Sequence, residues 1–274
     1  MSDAVVNGCR LWYEVRGKVD GEHLVQIGGA GFAHENFSTI TDTMARRFRV
    51  IEFDLRGYGL SDRPVQKYSM DVWADDLAAL LKEAGIARTH VYGTSMGGMV
   101  AVRFAAKYPE LVDRLIVDCA AVKPDFTMRA QFEVWKRLAQ AYGMGSEELA
   151  LMVATHCVGR TLLDTNGRDV VDNIRSILGR NCSVEVFSEA CTAMQEMDLQ
   201  GDLPKIVAPT LVTDGSDDVL TPLDLGPEGL GGRAIVEGVA GAELHVIEGA
   251  GHTSLMEKPQ EAAEVATAFL TSSL

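Results

Sequence analysis

A chain of 274 residues with 47% hydrophobic content is long and apolar enough to bury a sizeable core, which argues against disorder. Its formal net charge of −14 points away from nucleic acid and anionic membranes, because those partners need basic stripes. No apolar run is long enough to span a bilayer and Met1-Ser2-Asp3-Ala4 opens no secretory leader, so a cytoplasmic location is expected.

In chain order, residues 10–16 and 25–27 read as early strands. The second runs into Gly28-Gly29-Ala30-Gly31-Phe32, a turn that lacks both the glycine spacing of a dinucleotide fingerprint and the Lys-Ser/Thr of a P-loop, so nucleotide binding is set aside. Residues 50–53 form the next strand. Met70, Trp73, Leu77, Leu80, Leu81 and Ala84 then recur at helical spacing, with Ser69 as N-cap and Gly85 as the stop. A strand at 89–92 leads through Gly93-Thr94-Ser95-Met96-Gly97-Gly98 into an apolar helix at 99–108, and another strand follows at 114–117. Strands alternating with helices predict a parallel sheet covered on both faces, with functional loops at the carboxyl ends of the strands.

The alternation breaks between about 122 and 203, where only helical stripes occur: Phe132, Trp135, Leu138 and Tyr142, then 149–158, 170–178 and 184–197. Strands return at 209–213 and 243–247. The first precedes Asp214-Gly215-Ser216-Asp217-Asp218, and the second precedes Glu248-Gly249-Ala250-Gly251-His252.

The pattern G-x-S-x-G between a strand and a helix carries chemistry. A strand feeding straight into a helix forces a tight turn, and glycines two before and two after the serine leave room for it. Ser95 is then exposed at the strand end, and the Met96 amide at the helix N-terminus can donate to a developing oxyanion. A serine is a poor nucleophile at neutral pH, so it needs a histidine base and an orienting carboxylate. His252 and the aspartates after residue 213 lie downstream in the order that this requires. On the residues alone, Asp214, Asp217 and Asp218 compete as the acid, and Asp118 after the strand at 114–117 is a further rival.

Phe53-Asp54-Leu55-Arg56-Gly57-Tyr58-Gly59-Leu60-Ser61-Asp62 fits a D-x-R-G-x-G-x-S-D loop, and residues 209–222 fit P-T-L-V-x-x-G-x-x-D-x-x-x-P. Gly251-His252 and Glu257-Lys258-Pro259 supply a G-H and an E-x-P. With the serine turn, these stretches resemble the α/β-hydrolase superfamily nearly end to end, and within it the esterase and lactonase group that includes 3-oxoadipate enol-lactonases. The resemblance implies an α/β-hydrolase fold: a mostly parallel sheet flanked by helices, with core parts at 1–121 and 204–274 and an inserted helical cap at 122–203. It implies a catalytic triad of Ser95, His252 and Asp218, since the family's acid stands three residues after the glycine and four before the proline. The Ala30 amide matches the second oxyanion-hole donor, although Gly28 replaces the histidine of the family's H-G-x-G.

The expected activity is therefore that of a serine hydrolase, without cofactor or metal, acting on a carboxylic ester or lactone of small to medium hydrophobic size. Gly29, Phe32, His34, Trp135, Met152 and Met194 are its candidate pocket residues. Hydrolysis of a carbon-carbon bond in ring-cleavage products, or a non-catalytic small-molecule receptor, are the alternatives. Met128, Met144 and Met197 share the cap with plain core filling as their simplest role. His156 reads as a packed or surface cap residue, and Arg56 as a tie between its loop and neighbouring carbonyls or carboxylates. Five scattered cysteines suit free thiols, and neither H-x-x-x-H nor C-x-x-C occurs. The sequence leaves the oligomeric state open, a homodimer included.

Overall fold

The computed structural model describes residues 2–227 and 229–272, so Met1 of the N-terminal run and Glu228 of the glycine-rich loop at 225–232 lie outside the described residues. Strands β1 (Ser2–Val6), β2 (Cys9–Gly17), β3 (His23–Ile27), β4 (Arg49–Phe53), β5 (Thr89–Thr94), β6 (Val112–Asp118), β7 (Thr210–Gly215) and β8 (Glu243–Ile247) form one sheet in the order β1-β2-β4-β3-β5-β6-β7-β8. From β4 to β8 every neighbouring pair is parallel, while β1 with β2 and β2 with β4 are antiparallel. Parallel pairing needs crossover helices, and these cover both faces.

Alternation along the strands splits the core in two. Leu24, Val50, Tyr92, Ile116 and Leu211 face α1 (Ser38–Ala45) and α10 (Pro259–Thr271). Val25, Ile51, Val91, Val117 and Val212 face α2 (Met70–Glu83), α3 (Met96–Lys107) and α8 (Gly232–Gly238). Helix α2 begins where the sequence places it: the Ser69 hydroxyl accepts from the Val72 N–H at 3.3 Å, and Gly85 stops the helix at φ +69°. A bidentate pair from Arg56 to Asp76, at 2.7 and 2.8 Å, ties the 53–62 loop to this helix.

Between β6 and β7 the chain makes four helices: α4 (Phe126–Tyr142), α5 (Glu147–Cys157), α6 (Arg160–Asn181) and α7 (Val184–Glu196). Helix α6 starts ten residues before its apolar stripe, because residues 160–169 are mostly polar and exposed; the turn at Asn166 leaves helical geometry. The helices fold back over the carboxyl ends of the strands and bury Met128, Met144 and Met197 in their own packing.

The turn between β5 and α3 fixes everything above it. Ser95 sits at φ 56°, ψ −125°, a strained conformation for a residue with a side chain. Around it the backbone is packed without spare room: a Cβ on Gly97 would lie 2.0 Å from the Ile27 carbonyl oxygen, and one on Gly93 would lie 2.2 Å from the Gly97 oxygen. Both obstacles are backbone and cannot swing aside. Gly97→Ala should therefore destabilise the protein by about 3 kcal/mol, lowering Tm by roughly 6–12 °C. Unchanged thermal unfolding would show that β3 and α3 can separate cheaply.

Candidate active site

Ser95, half-buried at the top of β5, meets the loop after β8. His252 Nε2 lies 2.8 Å from Ser95 Oγ, and His252 Nδ1 lies 2.9 Å from Asp218 Oδ2. Asp218 is fully buried in the loop after β7. Its Oδ1 accepts from the Leu220 and Thr221 amides at 2.8 and 3.0 Å. Thr221 Oγ1 stands 3.0 Å from both Asp218 Oδ2 and His252 Nδ1 and donates to the Cys119 carbonyl at 2.9 Å. Two amides on Oδ1 and the imidazole on Oδ2 thus fix the orientation of the carboxylate.

Electrostatics follow from this geometry. Burial would raise the Asp218 carboxyl, but His252 and the two amides outweigh it and hold it below the ordinary carboxylate range. Burial likewise pulls the His252 imidazole down, but Asp218, with Asp118 and Glu257 behind it, raises it above the ordinary 6.5. If His252 serves as a base it must be neutral, so kcat/KM should climb with pH through a step above 6.5. A pH-rate profile whose acid limb falls at or below that value would contradict the pairing.

The rival acids take other places. Asp118, 0% exposed, accepts Thr94 Oγ1 at 2.7 Å, Thr213 Oγ1 at 2.8 Å and Ser254 Oγ at 2.9 Å, and its carbonyl accepts the Ser95 N–H at 2.9 Å. It holds together the ends of β5 and β7, which lead to Ser95 and Asp218, and Ser254, two residues after His252. Asp214 is buried beside Gly232, and burial, followed by the charges of Asp218 and Asp118, pushes its carboxyl well above the ordinary carboxylate range. Asp217 is exposed and receives the Ser216 hydroxyl.

The loop after β3 lies directly against the serine: a Cβ on Gly29 would be 3.1 Å from Ser95 Cβ. The Gly29 N–H is used by Asn36 Oδ1 at 2.8 Å. Among the described residues, no hydrogen bond within the chain is recorded for the Ala30 amide or for that of Met96, the first residue of α3. Both amides are therefore available to a charge developing beside Ser95. Gly28 has little room for a side chain, since a Cβ there would meet the Ala33 carbonyl oxygen at 2.9 Å, and Asn36 ties the loop through the Gly29 N–H.

Above Ser95 opens a cavity of about 270 Å³. Its floor comes from Gly29, Ala30, Phe32, Ser95 and His252, and its roof from Phe132 and Trp135 of α4, Val153 and Cys157 of α5, Ile174 and Ile177 of α6 and Met194 of α7. The lining is mainly apolar; besides Ser95, His252 and the hydroxyl-bearing Ser38, Thr39, Thr94 and Thr253, its polar members are Glu35, Asn36, Asn173 and Arg180. Cys119, Asp218 and His252 are the one group among the described residues whose metal-ligating atoms fall within 4.8 Å of one another. The carboxylate and imidazole of that group are already engaged with each other. No helix of the described residues is long and apolar enough to cross a membrane.

A family model described as alpha/beta hydrolase fold matches residues 23–259. The chain belongs to that family. This alpha/beta hydrolase is 31% identical to the 2-hydroxy-6-oxononadienedioate/2-hydroxy-6-oxononatrienedioate hydrolase of Escherichia coli K12, over 89% of this chain and 83% of the relative. It is 29% identical to 3-oxoadipate enol-lactonase 2 of Acinetobacter baylyi, over 78% of this chain and 75% of that one. The crystal structure of the enol-lactonase from Burkholderia xenovorans LB400 superposes with a TM-score of 0.87 at 25% identity, covering 99% of this chain and 100% of that one. Fold and relatives together make the protein a hydrolase with esterase- and lactonase-like kin.

Two of the expected pocket residues of this alpha/beta hydrolase stand elsewhere. His34 turns away from the cavity, its Nδ1 2.8 Å from Asp54 Oδ1 and its ring 4.3 Å from that of Trp12. Asp54 is 0% exposed, and His34 supplies it with both a ring nitrogen and a backbone N–H, so satisfying a buried carboxylate decides where the imidazole points. Met152 is also absent from the cavity wall: α5 presents Val153 and Cys157, one turn apart, and the residue before Val153 is rotated about 100° off that face. His156 has a defined role in the packing, since its Nδ1 accepts from Trp135 Nε1 at 3.0 Å and so fixes the indole in the roof. Glu35, Asn36, Asn173 and Arg180 were not singled out by sequence, although Glu35 and Asn36 directly follow His34 in the loop.

Proposed function

We propose that this chain is a cofactor-independent serine hydrolase that cleaves a carboxylic ester or lactone of small to medium hydrophobic size through an acyl-enzyme. The observation that carries this reading is the unbroken relay Asp218–His252–Ser95, ending on a serine that faces a largely apolar cavity. Ser95 Oγ attacks the carbonyl carbon as His252 Nε2 takes its proton, and the Ala30 and Met96 amides hold the oxyanion. His252 then gives the proton to the leaving alkoxide. In the second half it draws a proton from the water that attacks the acyl carbon, and returns that proton to Ser95 Oγ as the acyl–oxygen bond breaks. In a lactone the leaving alcohol stays tethered to the acyl group, so the cavity must retain both ends while water enters.

The Escherichia coli relative favours a second reading, hydrolysis of a carbon-carbon bond in a ring-cleavage product, on the same residues. Localisation in the cytoplasm and the lack of nucleic-acid or membrane partners belong to the proposal as well.

The test is fluorophosphonate labelling of the wild type and Ser95→Ala, located by mass spectrometry, beside turnover of aryl esters, lactones and a coloured vinylogous diketone. Label confined to Ser95 with ester or lactone turnover supports the proposal. Bleaching of the diketone alone supports the second reading. Tight ligand binding with neither label nor turnover would replace both with a receptor.

A further inference from the structure

The Glu257 carboxylate joins two segments far apart in sequence, one of them at Gly159, 98 residues before Glu257 itself. Its Oε2 accepts the Gly159 N–H at 3.0 Å, where α5 gives way to α6 in the helical insertion. Its Oε1 accepts the Gly251 N–H at 3.1 Å and Thr253 Oγ1 at 2.8 Å, the two residues that flank His252. The Thr253 N–H also donates to the Cys157 carbonyl at 3.0 Å. The joint is close enough to exclude any side chain: a Cβ on Gly251 would lie 2.6 Å from the Gly159 nitrogen and 2.9 Å from the Cys157 oxygen, and one on Gly159 would lie 2.4 Å from Glu257 Oε2. Backbone therefore rests on backbone here, and Glu257 ties both halves together, with a longer contact of 3.4 Å from Thr253 Oγ1 to the Cys157 carbonyl beside it.

The Gly159 side of the joint is where the cavity roof is anchored. Helix α5 ends there with Val153 and Cys157 on the cavity, and α6 begins there and brings Ile174 and Ile177. On the other side, His252 must keep its Nε2 within proton-transfer distance of Ser95. A loop held at both flanking residues cannot shift without breaking a bond to Glu257.

We propose that Glu257 is a positioning residue for His252, clamping the α5–α6 junction to the Gly251–Thr253 loop so that the imidazole reaches Ser95 only while the roof is seated. The proposal rests on the serine-hydrolase reading above. Its energetic logic is that three hydrogen bonds to an ionised acceptor hold the loop to within a few tenths of an ångström, while a misplacement of about 1 Å can cost 10²-fold in rate.

Glu257→Gln is the informative variant. Its amide offers one oxygen, so either Gly159 or the Gly251–Thr253 side must face an NH₂ donor and half of the clamp is lost. The expected result is a kcat between about 10- and 100-fold lower on an aryl ester, with KM within about twofold of wild type, and a matching fall in the rate at which fluorophosphonate labels Ser95. Hydrogen exchange at the Gly159 and Gly251 amides should accelerate in the same variant. A role confined to packing the roof would raise KM and leave the labelling rate alone, which would overturn the proposal, as would unchanged kcat. Thr253→Val removes the bond to Glu257 together with the longer 3.4 Å contact to the Cys157 carbonyl, and covers the case in which Glu257→Gln does not fold. It should lower kcat by a smaller factor in the same direction, and an unchanged kcat there overturns the proposal too. Failure of the wild type to label at all would instead refute the serine-hydrolase reading, so the two outcomes are separable.

Discussion

Alanine in place of Ser95 should lower kcat by about 10⁶-fold while leaving the fold unchanged. The hydroxyl has His252 Nε2 as its recorded partner, so its loss strands no other donor or acceptor except one face of an imidazole that water can reach through the cavity. Alanine also inherits the φ of 56° at no extra cost, because the strain there comes from having a Cβ at all. What remains after substitution is the binding cavity and the two free amides, which still favour the tetrahedral species and should leave a residual 10³–10⁴-fold advantage over water. Turnover of an aryl ester with matched thermal unfolding is the measurement. A loss smaller than about tenfold would mean that another nucleophile does the chemistry.

Asparagine in place of Asp218 should lower kcat by about 10⁴-fold, and the hydrogen bonds around the carboxylate explain why. Oδ1 faces two backbone donors, the Leu220 and Thr221 amides, so the amide oxygen of asparagine must occupy that position. The NH₂ then falls where Oδ2 was, 2.9 Å from His252 Nδ1, and donates to it. A ring nitrogen that accepts at Nδ1 carries its proton at Nε2, where it faces Ser95 and cannot receive the serine proton. The same change removes the negative charge that raises His252, so the acid limb of kcat/KM should move to lower pH. Substrate binding should change little, because Asp218 is fully buried behind the histidine. Retention of activity to within tenfold would transfer the orienting role to Asp118, the fully buried acid whose charge also acts on His252.

Much of this arrangement could be read from local pattern. The serine turn, the strand at 209–213 and the glycine-histidine loop are each defined by residues that neighbour one another in sequence, and steric rules act at that range. So is helix α2, whose serine cap and glycine stop carry their own signals. Strand β1 also carries a local signal: Asn7-Gly8, with φ of 48° and 72°, makes the two-residue hairpin turn that pairs it with β2. Helix α1 carries no such signal, because it follows a loop with no polar cap at its start.

What could not be read depends on distance. Whether Met152 or Val153 faces the cavity is a question of helical phase, and phase is set by packing between α5 and its neighbours rather than by the apolar stripe, which both residues satisfy. His34 points where a buried aspartate 20 residues away needs a donor. The E-x-P of Glu257 marks the start of the last helix, but the residue's bond to Gly159 spans most of the second half of the chain. Sequence spacing carries no information about contacts of that kind.

The base of the helical insertion has one more property. The chain enters it at Val122 and leaves it at Leu199, and these two residues touch: the Leu199 N–H donates to the Val122 carbonyl at 2.8 Å, and Lys123 pairs with Asp198 at 3.0 Å. Strands β6 and β7, which flank the insertion, are themselves neighbours in the sheet. A short link from Val122 to Leu199 would leave the crossover at 199–209 that a parallel pair requires, so the roof of the cavity hangs from a neck of two chain segments. Such an arrangement lets heredity treat recognition and bond-breaking as separate inheritances: one can be lengthened, traded or recast between lineages while the other stays as it was.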